Sequence, residues 1–224
     1  MPTRPASAPP SAISVDDTLP FQFIAGDVSL DFVNTVDWTS RGPAHDRIGS
    51  YGRLIEWGLA AGTIDESGAT RLERRAFSRQ RDAARALDDA RALRWTLRRL
   101  VSAIAGNDRA VASVRLPLDE LNRFVADGYA HVRLTKPAAR GTAPTSPLVW
   151  AWDDPGRLDS VLWPIVRSAA ELLASPDTER LRVCAGADCG WVYVDRSRNG
   201  LRRWCQMSTC GTVEKTRRRR RRND

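Results

Sequence analysis

Apolar residues recur at three- and four-residue spacing through most of the chain, so the hydrophobic pattern is mainly helical. Its longest stripe, Leu87, Ala90, Leu93, Leu97, Leu100, Val101 and Ile104, predicts a helix that ends at Gly106. The alanine-, leucine- and arginine-rich region leading into it starts after Asp65, a capping residue, and a break near Phe77–Ser78 divides it in two. The stripe is too short for the several heptads of a coiled coil. Ser50 to Ala61 predicts a helix with Leu54, Trp57 and Ala61 inward and Gly62 as its stop. Asp159 to Ala174 predicts another, with Leu162, Ile165, Val166, Ala169, Leu172 and Leu173 on its apolar side and Pro164 in the tolerant first turn. Shorter helices are expected over 28–38, where Leu30, Val33, Asn34 and Trp38 share a face, and over 117–126, with Leu118, Leu121 and Phe124 or Val125 inward.

Strand signals are fewer. Phe21 and Phe23 alternate with polar neighbours, and Tyr129–Thr135 and Leu148–Trp152 form a candidate strand pair. The connecting KPAARGTAPTSP is flexible by composition. Residues 1–19, rich in Pro, Ala and Ser, are expected to be a disordered lead, with order beginning near Phe21. Ser175-Pro176-Asp177 breaks the last helix and marks a boundary. The fold class expected is α+β: a mostly helical domain over 20–176 with a small strand pair, then a small module over 180–222. No internal repeat is visible.

The small module changes the picture, because all four cysteines lie in it. Cys184 and Cys189 bracket AGAD, fifteen residues follow, and Cys205 and Cys210 bracket QMST. Two close thiol pairs across such a loop suit one tetrahedral Zn2+ held by four thiolates. A shell closed by four thiolates is structural, not catalytic. WVYVD reads as a strand, Ser197-Arg198-Asn199-Gly200 as a turn, LRRWC as the return strand, and the chain from Cys205 onward as a helix. Knuckle, hairpin and helix together make a treble-clef-like site. A segment this small needs its metal to fold, a contribution on the order of 10 kcal/mol in zinc-finger peptides.

Charge follows the same division. Arg180 to Asp224 holds 13 basic and 4 acidic residues, against 22 and 23 in the rest, so the net charge of +8 arises entirely in the module and its tail. A one-sided basic patch is the electrostatic footprint of a nucleic-acid partner. No bulky amphipathic basic helix points to a membrane surface instead. Hydrophobic residues at 42 % and eight tryptophans suit a packed chain. Neither a secretory signal nor a membrane span is visible, so a cytoplasmic location is expected, where thiols stay reduced and zinc is favoured over disulfides. There is no phosphate-binding glycine loop, no H-E-x-x-H and no nucleophile elbow, and a zinc deaminase would need a histidine ligand with a spaced glutamate. His45 and His131 have no ligand-spaced partner. No enzyme is expected.

CAGADCGWVYVDRSRNGLRRWCQMSTCG closely resembles the CGNR-type zinc finger of bacterial proteins, through Cys184, Cys189, Trp191, Asp195, Ser197, Asn199, Arg203, Trp204, Cys205, Met207, Cys210 and Gly211. The chain departs from that pattern at Cys210-Gly211-Thr212-Val213, where the family has Cys-Gly-Asn-Arg. LDFVNTVDW and the segment that ends in WGLAAG, at 30–38 and 54–62, resemble the helical ABATE domain that precedes this finger. That resemblance implies a transcription regulator, and with the basic module the expectation is a DNA-binding one whose helical domain senses a small-molecule effector or forms a homodimer. The same basic module would also serve an RNA- or ribosome-associated protein or a protein–protein adaptor. Candidate nucleic-acid contacts are Arg196, Arg198, Arg202 and Arg203 around the turn, and Lys215, Arg217, Arg218, Arg219, Arg220, Arg221 and Arg222 in the tail. Asn34, polar among Leu30, Phe32, Val33 and Val36, has two readings: a satisfied core asparagine, or the wall of a pocket with Trp38 and Arg47.

Overall fold

A computed structural model of the chain describes residues 13–106, 111–136 and 147–220, with side chains from 114 onward in the second span. Residues 1–12 of the expected lead and most of the 136–147 loop fall outside the described residues.

Helix ends follow their local signals. The second helix, α2 (Tyr51–Ala60), is capped by Ser50, whose side chain accepts from the Arg53 amide, and Gly62 follows at φ +69°. Asp65 caps α3 (Glu66–Ser78) by accepting from the Gly68 amide. The chain breaks at Arg79, and α4 (Gln80–Ala105) runs to Gly106. The apolar stripe of α4 is buried from Leu87 to Val101 and partly buried at Ile104, and α4 is the central column of the domain. The final helix of the domain divides into a 3-10 turn (Leu158–Leu162) and α6 (Trp163–Leu173).

Several expectations are corrected. The helix at 28–38 stops early: α1 is Val28–Val33, and Trp38 lies on β2 (Val36–Thr39), which turns back into β3 (Gly42–Asp46). A two-residue strand β1 (Ser14–Val15) pairs parallel to β3, so order begins before Phe21, and residues 13–19 are not part of a disordered lead. Phe21 and Phe23 are not in a strand; Phe21 lies beneath Arg53 and Phe23 against Trp57. The short helix expected from Pro117 is α5 (Val111–Ala130), with Pro117 inside it; Leu121 is buried, but Leu118 is exposed. The strand pair is present as β4 (Val132–Thr135) against antiparallel β5 (Val149–Trp152), with Tyr129 and Ala130 still helical.

The helical layer is pinned by a polar contact that sequence spacing does not show. Arg94 of α4 reaches Asp46 of β3 with both terminal nitrogens and also donates to Thr35 Oγ1 at 2.8 Å. Both partners are 4 % exposed. Breaking a pair this deep leaves a buried charge without its counterion, a loss of about 3–5 kcal/mol. Arg94→Met is therefore expected to lower the urea midpoint of unfolding strongly, and Arg94→Met with Asp46→Leu to recover part of the loss.

After a 3-10 turn (Pro176–Arg180) come β6 (Leu181–Val183) and antiparallel β7 (Val192–Val194). Leu181, Trp191, Val192, Tyr193 and Val194 belong to the same apolar core as Leu30, Phe32, Leu93 and Leu97. The sequence boundary near Ser175 is thus not a boundary between cores.

Candidate metal centre

Strands β6 and β7 present the first cysteine pair at the end of their ribbon. Cys184 follows β6 directly, and its amide donates to Trp191 O at 2.8 Å, continuing the ladder. The intervening loop turns tightly, with the Cys189 amide donating to Gly186 O at 3.1 Å. The second pair approaches on a chain without strand structure. Ala185 donates to Arg203 O at 2.8 Å, which sets Cys205 beside Cys184. A π turn (Met207–Gly211) carries Cys210, and α7 (Thr212–Arg220) leaves from it. The return strand expected at 201–205 is not formed; the ribbon is β6–β7, and Asp195 holds the turn by accepting from the Ser197 and Arg202 amides at 2.9 and 3.0 Å.

All four sulfurs lie within 4.8 Å of one another and none is in a disulfide. The separation is 3.8 Å between Cys189 and Cys205 and 3.6 Å between Cys205 and Cys210. A tetrahedron with Zn–S near ~2.3 Å has edges of about 3.8 Å, so these separations suit a zinc ion among the four sulfurs. Amide donors already face the sulfur of Cys184, from Cys205 at 3.2 Å and Gly186 at 3.5 Å. Sulfurs this close cannot all ionise unaided. The neighbouring thiols Cys189 and Cys205 pull Cys184 well below the usual thiol range, whereas Cys184 pushes Cys189 up to about 12 and raises Cys205 as well. A divalent cation among them removes that conflict by stabilising every thiolate. The four cysteines are a structural site for one Zn2+.

The module is held to the helical domain by backbone as much as by side chains. Asn34, 2 % exposed, donates to Val192 O at 2.8 Å and accepts from the Val192 amide at 3.0 Å. Its side-chain amide thus replaces one rung of a β ladder. The Val194 amide donates to Ala25 O at 2.8 Å and the Gly190 amide to Trp38 O at 2.6 Å. Arg47 binds Asp37 with two contacts, at 2.8 and 3.1 Å, and its guanidinium lies over Trp191. Trp38 Nε1 donates to Val33 O at 2.9 Å. The polar groups of Asn34, Trp38 and Arg47 are therefore spent on protein partners, which favours the core reading of Asn34 over the pocket.

Gly190 is the tightest point of this interface. A Cβ there would stand 2.8 Å from Trp38 Cβ and 2.9 Å from Arg98 Nη2, and the Trp38 side cannot yield without moving β2. Gly190→Ala is expected to cost about 1–3 kcal/mol through overpacking. Chemical denaturation of the zinc-loaded chain checks this; an unchanged midpoint would show that the interface is looser than these distances require.

The candidate nucleic-acid residues separate into three groups. Arg202 is structural: it donates to Trp204 O at 3.1 Å, Ile24 O at 3.0 Å and Cys205 O, and lies over Tyr193. Arg196 is exposed and pairs with Asp177 at 3.3 Å. Arg198, Arg203, Lys215, Arg217, Arg218, Arg219 and Arg220 are exposed, Arg217 beside Glu214 at 3.2 Å and Arg203 over Trp204. Arg221 and Arg222 lie outside the described residues. The missed residues Arg94, Asp46 and Arg98 gave no local signal, since their partners are distant in the chain.

Family comparisons agree with the two-part organisation of the site. The ABATE family model, described as "Putative stress-induced transcription regulator", matches residues 26–176, and the CGNR zinc finger model matches residues 180–223. Neither is an enzyme family. No curated protein matches the chain.

Proposed function

The chain belongs to the ABATE family and ends in a CGNR zinc finger, and from that premise we propose that it is a transcription regulator that binds duplex DNA through the finger. The observation that carries this reading is α7. It starts at the second cysteine pair, buries none of its residues, and presents Lys215, Arg217, Arg218, Arg219 and Arg220 to solvent. A helix with no buried face gains nothing from the core, so its basic composition is explained by a partner. Phosphates are the matching partner, and the closed zinc site is what orients the helix. Arg198 and Arg203 add two exposed cations from the turn and the chain entering Cys205. Arg202 is not part of this surface.

Among the described residues no helix is long and apolar enough to cross a membrane. The helical domain, in this reading, holds the finger in place and carries whatever effector or dimer contact regulates it. Fluorescence anisotropy of the full chain on duplex DNA tests the proposal, with structured RNA as competitor. Duplex binding that needs zinc and resists RNA is the expected result. Preferential displacement by RNA would favour the ribonucleoprotein reading, and absence of binding to either would favour an adaptor.

A further inference from the structure

Arg98 of α4 is a part-buried cation with one end of its guanidinium closed off from solvent. Its Nη1 is sealed from solvent and has no hydrogen-bond partner. It forms none of the ion pairs found among the described residues; its guanidinium lies over the Trp38 ring at 5.1 Å. Its other terminal nitrogen sits against Gly190, 2.9 Å from where a Cβ would stand, in the residue directly after the ligand Cys189. A guanidinium taken out of water without a compensating anion is strongly unfavourable. Burial pulls Arg98 down to about 10.

Four thiolates around one Zn2+ carry a net charge of two negative units. We propose that Arg98 is the electrostatic partner of the zinc–tetrathiolate centre, supplied by the helical domain, so that the finger's metal affinity depends on α4. The chemistry is outer-shell: the cation stabilises thiolate character in the ligands without touching the metal. The stacking on Trp38 holds the guanidinium's position, and Gly190 leaves room for it to approach. The arrangement makes a positioning residue of an arginine about ninety residues before its partner, in the domain that precedes the finger.

The test is zinc affinity of the full chain, measured by competition with a chromophoric chelator, for the wild type, Arg98→Met and Arg98→Lys. Loss of an outer-shell partner costs about 10- to 100-fold in metal affinity. Arg98→Met keeps the bulk on Trp38 and is expected to lose at least about tenfold. Arg98→Lys keeps the charge and is expected to stay nearer the wild type than Met does. A purely packing role would instead leave Met at the wild-type affinity, or set Lys as low as Met, and either result overturns the proposal. If Arg98→Met does not fold, Arg98→Lys decides alone: an affinity within about threefold of wild type is expected, and a loss of tenfold or more contradicts the charge argument.

Discussion

Stripping zinc from the chain, or replacing Cys205 by serine, lowers the unfolding midpoint of the helical domain together with that of the finger. A boundary at Ser175–Asp177 taken from sequence alone would leave the helical domain largely intact in such a variant. The core argues otherwise. Val192, Tyr193 and Val194 are buried among residues of α1 and α4, and Leu181 is packed with them. The ribbon that carries Cys184 and Cys189 also closes the face of the helical domain. Structural zinc contributes on the order of 10 kcal/mol in finger peptides, comparable with the whole stability of an ordinary domain. Losing it frees the 184–210 loop, and β7 then has little to keep it docked. Calorimetry of chelator-treated and zinc-loaded chain checks this. One cooperative transition, shifted downward without zinc, is the expected outcome; two transitions with the helical one unmoved would show independent units.

Replacing Asn34 by alanine is expected to destabilise the chain strongly, though less than zinc removal, without touching the metal. The side chain occupies both hydrogen-bonding groups of Val192 at a position with no access to water. Alanine leaves a buried amide and a buried carbonyl unpaired, at about 1–3 kcal/mol each. Asn34→Asp is no rescue, because a carboxylate can accept from the Val192 amide but cannot donate to its carbonyl, and it adds a buried charge. Urea unfolding of the zinc-loaded variants measures the effect. A midpoint within error of wild type for Asn34→Ala would mean that Val192 finds other partners and that the interface does not depend on this rung.

What could be read from sequence was local. The Asp65 cap, the break near Phe77–Ser78, the stop at Gly106 and the two cysteine pairs each depend on neighbours within a few residues. The hairpin after α1 was hidden because Val36 and Trp38 continue an apolar pattern begun by Leu30 and Val33, so a helix appears to run on through a turn. Helix α5 was clipped at Pro117, whose usual effect is to start or end a helix, whereas here it lies within the first two turns. Arg202 looked like its exposed neighbours, and only the return of Ile24 and Cys205 around it turns it inward. Asn34 stands out in the sequence as a polar group among apolar ones, but its partner stands 158 residues away. No spacing rule reaches that far.

The account stands or falls on whether α7 and its arginines meet phosphate. A salt titration of duplex DNA binding by the full chain and by a chain ending at Thr216, both loaded with zinc, measures this directly. Each neutralised phosphate steepens the fall of log affinity with log salt by roughly 0.9. The truncated chain is expected to bind all sequences more weakly and with a slope smaller by several such units. Any base preference is expected to persist, since the proposal assigns it to the turn and the start of α7. Equal affinities and equal slopes for the two chains would contradict the account and leave the arginine run as a solvated tail.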